Sequence, residues 1–102
     1  MIVAVTTYTV AKGEKGKGAG DWIRRVVELF NDRFSVPSTA KRSLSGKFGI
    51  IVREARFESF AAWEEFLWKT LPAGPEWPAL AKEMDEKQYF SDTEFQFFRV
   101  IE

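Results

Sequence analysis

Hydrophobic residues along the chain alternate with a strand period in some segments and recur with a helix period in others. Ile2–Val10 is dense in β-branched residues and has apolar side chains on both alternating sets, as in a strand covered on both faces. In residues 21–34 the apolar positions recur every three to four residues, which predicts an amphipathic helix with Asp21 as its N-cap. Residues 11–20, which join the two segments, are rich in glycine and lysine and predict a flexible loop.

A hairpin and a second helix are predicted in the middle of the chain. Residues 41–45 and 47–57 have the composition of two strands joined near Gly46. Along the second strand, Ile51, Arg53, Ala55 and Phe57 share one face. Ser59 is placed to cap the helix that follows, and the prolines of residues 72–78 end that helix.

A short third helix over residues 77–87 and a last strand over residues 93–101 complete the predicted order, β-α-β-β-α-(α)-β. Right-handed crossovers place the first and third strands together at the centre of a four-stranded antiparallel sheet, with the helices on one face. We therefore expect a single domain over residues 1–102 with the ferredoxin-like α+β plait.

The predicted strands carry more apolar surface than two helices can cover. The first, third and last strands direct apolar side chains toward both faces of the sheet, and the helices cover only one face. A second copy of the chain, stacked sheet to sheet about a two-fold axis, would cover the other face. We expect a homodimer.

Composition narrows the possible chemistry. The chain has no histidine and no cysteine, so thiolate nucleophiles, disulfides and the usual zinc and iron–sulfur ligands are excluded, and we expect no metal and no cofactor. General acid–base catalysis by Asp, Glu, Lys or Tyr remains open. No apolar stretch reaches the length of a membrane span, and the first strand lacks the features of a signal peptide, so we expect a cytoplasmic protein without a membrane partner.

Two segments of the chain partly match known binding motifs, one for phosphate and one for RNA. The Gly/Lys loop precedes a helix, as a phosphate-binding loop does, but it satisfies neither of the two common glycine patterns. It could instead close over a pocket as a lid. The strand beginning near Phe48 and Gly49 partly matches the aromatic motif of RNA-recognition sheets, but Ile50 and Arg53 stand where later rings are required. No nucleic-acid partner is expected, and RNA binding through the sheet face stays as an alternative.

The chain resembles the dimeric α+β barrel superfamily, in particular small NIPSNAP-like and antibiotic-biosynthesis-monooxygenase-like proteins. The matching segments are VTTYTV, SGKFGIIVREARFESFAAWEEF, GPEWPAL and FQFFRVIE. The resemblance implies a homodimeric barrel with a pocket between sheet and helices in each subunit. In the monooxygenases this pocket holds a polyaromatic substrate and works without metal or flavin. Many NIPSNAP-like proteins have histidine, tryptophan and tyrosine where this chain has Ile51, Arg53 and Ala55.

Five residues are candidates for binding a ligand, with hydrogen-bonding groups and aromatic walls suited to an oxygenated aromatic molecule: Tyr8, Trp22, Arg42, Trp63 and Arg99. The alternative is structural, with the tryptophans in the core and Arg99 paired with a carboxylate such as Glu54. We expect a protein that binds a small apolar or aromatic molecule. The alternatives are a cofactor-independent monooxygenase acting on a phenolic polycycle and, from another class, an RNA-binding protein.

Overall fold

The computed structural model describes residues 1–101 as a four-stranded antiparallel sheet with helices packed on one face. The strands are β1 (Ile2–Val10), β2 (Ser38–Arg42), β3 (Ile50–Phe57) and β4 (Phe90–Arg99), in the spatial order β2-β3-β1-β4. The helices are α1 (Ala19–Glu28), α2 (Phe60–Glu65) and α3 (Glu76–Lys87). The predicted ferredoxin-like plait with an extra helix before the last strand is confirmed.

Two of the helices continue into wider turns. After α1 the chain makes a π-helical segment, Leu29–Arg33, and after α2 it makes another, Phe66–Thr70, followed by the 3₁₀ turn Leu71–Ala73. Such segments are rare and occur often beside functional sites. Among residues 1–101, no helix combines the length and the apolar character that crossing a lipid bilayer requires.

The strand boundaries differ from the predicted ones. β2 begins at Ser38, three residues before the predicted start, because the Ser38 hydroxyl donates to the Glu54 carbonyl at 2.9 Å and its amide donates to the Asn31 side chain. Residues 43–49 form an open loop in which Gly46 and Gly49 have φ of 72° and 78°. These left-handed glycines interrupt the strand ladder. β4 likewise starts at Phe90, earlier than predicted.

The two predicted helix caps have different outcomes. Ser59 caps α2 as expected, since its hydroxyl accepts a hydrogen bond from the Ala62 amide at 3.1 Å. The Asp21 cap was wrong: the N-cap of α1 is Gly18, three residues earlier, and Asp21 lies in the first turn of the helix. There its carboxylate accepts from Arg24 at 2.5 Å and from Arg25 at 2.9 Å, and its negative charge suits the helix N-terminus.

The glycine-rich segment after β1 is more compact than the predicted flexible loop. It contains the 3₁₀ turn Gly13–Gly16. A Cβ on Gly16 would lie 2.0 Å from the Ala11 carbonyl oxygen, and a Cβ on Gly18 would lie 2.6 Å from the Tyr89 ring. Close packing of the backbone therefore accounts for both of these glycines.

The two faces of the sheet differ in their surroundings. The helix-covered face holds the core side chains of the central strands, which are Ile2, Ala4, Tyr8, Ile51, Ala55 and Phe57. On the opposite face, which no helix covers, the central strands present Val3, Val5, Ile50 and Val52 together with Thr7, Thr9, Glu54 and Arg56. β4 presents Asp92, Glu94, Gln96 and Phe98 there, so the expected apolar surplus is concentrated on β1 and β3.

Candidate functional site

A cavity of about 420 Å³ lies between the sheet and the helices. Its floor is the helix-covered face of β1, β3 and β4, where antiparallel pairing brings Ala4 between Ala55 and Phe97. Small side chains at Ala4 and Ala55 leave space above the centre of the sheet. The larger rings of Phe57, Phe95 and Phe97 close the floor around them.

The roof of the cavity comes from the helical segments, and the two π turns contribute much of it. Phe30 belongs to the π segment after α1, while Phe66 and Leu67 belong to the one after α2. Trp63 on α2 and Trp77 on α3 add indole rings. The result is a concave, mostly aromatic pocket of the size that small organic ligands occupy.

Aromatic rings also form the rim of the cavity. The Trp63 ring lies 6.0 Å from the Phe95 ring at an interplanar angle of 30°, and 4.8 Å from the Phe97 ring in an edge-to-face arrangement. Phe95 is 51% exposed although it lines the cavity, so this side of the pocket meets solvent. An apolar ring entering here would remove exposed aromatic surface from water.

In the described part of the chain, residues 1–101, the polar side chains that line the cavity are Thr6 and Arg53, which face each other across β1 and β3. Arg53 is half-buried. Its Nε donates a hydrogen bond to the Tyr8 hydroxyl at 3.1 Å, and its guanidinium carbon lies 4.9 Å from the centre of the Phe30 ring. Among residues 1–101, neither a carboxylate nor any other group that accepts a proton near neutral pH lines the cavity.

The structure brings two of the five candidate residues to this site. Trp63 lines the cavity directly. Tyr8 is buried beneath it, 3% exposed, with its ring against Phe90 and its hydroxyl against Arg53. The predicted ligand-binding role of both residues stays a prediction, now with a place in the fold.

The other three candidates lie elsewhere. Trp22 is fully buried, and its indole N–H donates to the Leu80 carbonyl at 2.9 Å. Arg42 lines a separate groove between α1 and β2, and Arg99 lies at the end of β4 beside Met1 and Phe60. Their ligand-binding role stays a prediction that concerns sites outside the cavity.

Arg53 is the residue that the sequence reasoning did not select. The alternation along β3 could have indicated it, because Arg53 is in phase with Ile51, Ala55 and Phe57, which all point toward the helices. A basic residue in the middle of an otherwise apolar inward-facing set requires an explanation, since burying a cation without a partner is unfavourable.

The strongest electrostatic contacts are remote from the cavity. The guanidinium of Arg25 on α1 and the hydroxyl of Tyr89 both donate to the carboxylate of Glu83 on α3. These hydrogen bonds, with that from Arg25 contributing most, lower the pKa of Glu83 from 4.5 to about 2. The cluster ties α1 to α3 and to the start of β4, which is a structural role.

Comparison with known proteins finds similarity in structure and none in sequence. No protein family profile matches the chain. No curated protein is significantly similar to it in sequence. A NIPSNAP domain protein from Burkholderia xenovorans, itself uncharacterised, superposes with a TM-score of 0.76 at 18% identity, over 99% of this chain and 95% of the other.

Proteins with oxygenase names share the same architecture. A putative antibiotic biosynthesis monooxygenase from Deinococcus radiodurans has a TM-score of 0.74 at 12% identity, covering 100% of this chain and 94% of the other. A variant of SnoaB, a cofactor-independent oxygenase from Streptomyces nogalater, has a TM-score of 0.68 at 19% identity, covering 99% and 93%. At these identities the likeness concerns the fold, and this chain has the α+β fold of the NIPSNAP and antibiotic biosynthesis monooxygenase-like proteins.

Proposed function

We propose that this protein binds a small aromatic organic molecule in the cavity between the sheet and the helices. The observation that carries the proposal is the cavity itself, about 420 Å³ in volume and walled mainly by aromatic and aliphatic side chains. Burial of a ring there would be favourable, because each square ångström of apolar surface removed from water contributes about 25 cal/mol. Trp63 and Phe97 form the wall that such a ring would contact.

We also propose that the protein acts as a homodimer joined through the uncovered sheet face. Val3 and Val5 of β1 and Ile50 and Val52 of β3 form two apolar patches on that face, with Arg56 and Glu54 beside the first and Thr9 and Thr7 beside the second. The edge strands add polar groups, Lys41 on β2 and Asp92 and Glu94 on β4. Protein interfaces commonly combine apolar patches with polar groups in this way.

A second candidate function is cofactor-independent oxygenation of a phenolic polycycle. The likeness in fold to SnoaB, described as a cofactor-independent oxygenase, favours it. Simple binding is better supported, because none of the lining side chains within residues 1–101 would take a proton from a phenol near neutral pH. Oxygen uptake with a panel of phenolic polycycles, reduced in the Tyr8→Phe variant, would favour the oxygenase.

RNA binding through the sheet has less support than either. Phe98 is the one aromatic side chain that β1 to β4 present on the uncovered face, and Phe48 lies in the loop before β3. Base stacking by RNA-recognition sheets uses two or three rings. The acidic groups Asp92 and Glu94 on β4 would also repel phosphates.

Titration with 2-naphthalenemethanol, a neutral two-ring probe, tests ligand binding. Changes in backbone amide NMR signals should map to the cavity, with a Kd on the order of 0.1 to 1 mM for a probe of this size. Leu67→Trp, which fills the cavity from its roof, should weaken binding at least about tenfold.

Leu44→Trp is the matched control, because the same ring is added at a side chain that is 89% exposed in the loop before β3. Its affinity for the probe should equal that of the wild type. An absence of binding by the wild type, or an equal loss in both variants, would contradict the proposed function.

A further inference from the structure

Arg53 brings a positive charge to the cavity, and no carboxylate group of residues 1–101 lines that cavity. It lies on the floor of the cavity between Ile51 and Ala55 along β3. Among residues 1–101 no carboxylate forms an ion pair with it, although seven such pairs occur elsewhere in that part of the chain. A half-buried guanidinium without a counter-charge is destabilising unless something else neutralises it.

The contacts that Arg53 does make leave its charge available. The Tyr8 hydroxyl accepts from Nε, and the Phe30 ring receives the guanidinium face at 4.9 Å. Both contacts are to neutral groups, and the contact with the ring is a weak attraction at a partly exposed site. Tyr8 and Phe30 therefore orient the side chain without cancelling its charge.

The terminal nitrogens of Arg53 indicate which kind of ligand this side chain could bind. Since Nε is used by Tyr8, the two terminal nitrogens Nη1 and Nη2 remain, and neither makes a hydrogen bond to any group in residues 1–101. These two nitrogens form the end of the guanidinium fork, which matches the spacing of two carboxylate oxygens. The Phe30 ring lies against the guanidinium, and Phe57 and Trp77 line the same cavity.

We propose that the ligand of this cavity is an aromatic carboxylate, whose acid group pairs end-on with Arg53 while its ring system packs against the aromatic walls. This inference rests on the proposed function, because it names the chemical class of the molecule bound at the same site. Tyr8 acts as a positioning residue that fixes the orientation of the guanidinium through Nε.

The test compares two probes of nearly equal shape, 2-naphthoate and neutral 2-naphthalenemethanol, by titration at pH 7.5. The wild type should bind the carboxylate about tenfold more tightly than the alcohol, since charge-assisted bidentate pairs are the stronger hydrogen bonds. Arg53→Met keeps an apolar side chain of similar length and removes the charge, so the ratio of the two affinities should fall from about tenfold to about one. Arg53→Lys, which keeps the charge and loses the fork, should retain a preference of roughly threefold.

Arg56→Met provides the matched control. Arg56 lies on the same strand, exposed, and points to the uncovered face, so its removal changes net charge equally without touching the cavity. Its preference for naphthoate should be unchanged. Equal affinity of the wild type for both probes, or an equal loss in the Arg56 and Arg53 variants, would overturn the inference and leave aromatic binding intact. Failure of both probes to bind would overturn the proposed function with it.

Discussion

The Trp22 indole carries one polar atom into the most tightly packed part of the molecule. The residue is 1% exposed, and its N–H donates to the Leu80 carbonyl of α3 at 2.9 Å. Its ring also contacts Tyr8 and Phe90 in edge-to-face arrangements. Trp22 thus joins α1 to α3 and to the sheet through a hydrogen bond and ring packing together.

Trp22→Phe should lower the free energy of unfolding by about 2 kcal/mol, because it removes that hydrogen bond and leaves unfilled volume. Denaturant unfolding at pH 7 measures this loss of stability. Trp68→Phe is the control, because that side chain is 73% exposed, and its free energy of unfolding should change by less than about 0.5 kcal/mol. Binding of 2-naphthalenemethanol should be unaltered in both variants. A stable Trp22→Phe protein that no longer binds the probe would show that Trp22 contacts the ligand.

The outcome for the candidate residues shows what alternation along a strand can and cannot identify. Alternation groups residues by face, and it grouped Arg53 with Ala55 on one face, which in the structure is the helix-covered one. It does not show how far a helix stands above the sheet, so a packed position and a cavity-lining position have the same pattern. Trp22 and Trp63 both fit an inward helical spacing, yet only Trp63 meets the cavity.

At the scale of elements, the strands and helices that carry long periodic patterns were predictable and their ends were not. β1 and the course of α3 follow directly from apolar periodicity. The ends of β2 depend on contacts from distant residues, such as that from Asn31 to Ser38, which no local pattern reveals. The π turns after α1 and α2 likewise have the residue composition of an ordinary helix.

The packing of α1 against α3 depends on the Glu83 carboxylate. Because the pKa of Glu83 is lowered to about 2 in the folded state from 4.5, its charge stabilises the fold above about pH 4.5, and this contribution is lost as the pH falls toward 2. Glu83→Gln should therefore lower the free energy of unfolding by about 1 to 2 kcal/mol at pH 7, given the partial exposure of the pair.

The difference between wild type and Glu83→Gln, measured by urea unfolding, should shrink steadily from pH 4.5 to pH 2. Glu86→Gln on the same helix is the control. Glu86 forms an exposed ion pair with Lys82 at the long distance of 3.8 Å, so removing this pair should lower the free energy of unfolding by less than about 0.5 kcal/mol. A pH-independent difference for Glu83→Gln would indicate that the carboxylate charge is not what holds α1 to α3.

For the whole molecule, the central fact is that one sheet has two unlike faces. One face encloses the core and the cavity, and the other carries valine and isoleucine side chains among polar ones. Sheets in α+β proteins usually have one wet face that is polar. The valine and isoleucine patches on that face are therefore the feature that the proposed two-fold partner explains.

Val5→Lys tests the partner directly. Val5 lies at the middle of β1 on the uncovered face, between Glu54 of β3 and Gln96 of β4. In a lone subunit the introduced amine can remain hydrated and attract Glu54, so the fold should persist. In the proposed dimer two such amines would be buried near the centre of the interface, which is strongly unfavourable.

Light scattering after size exclusion should give the wild type twice the subunit mass of 11.7 kDa and Val5→Lys the subunit mass alone. Trp68→Lys, an equally drastic change at an exposed residue on the helix side, should remain a dimer. A wild-type protein that is monomeric at about 100 µM, far above the Kd of a stable homodimer, would refute the interface. A dimeric Val5→Lys protein would place the contact on another surface, because the proposed interface would have to remove two added amines from water.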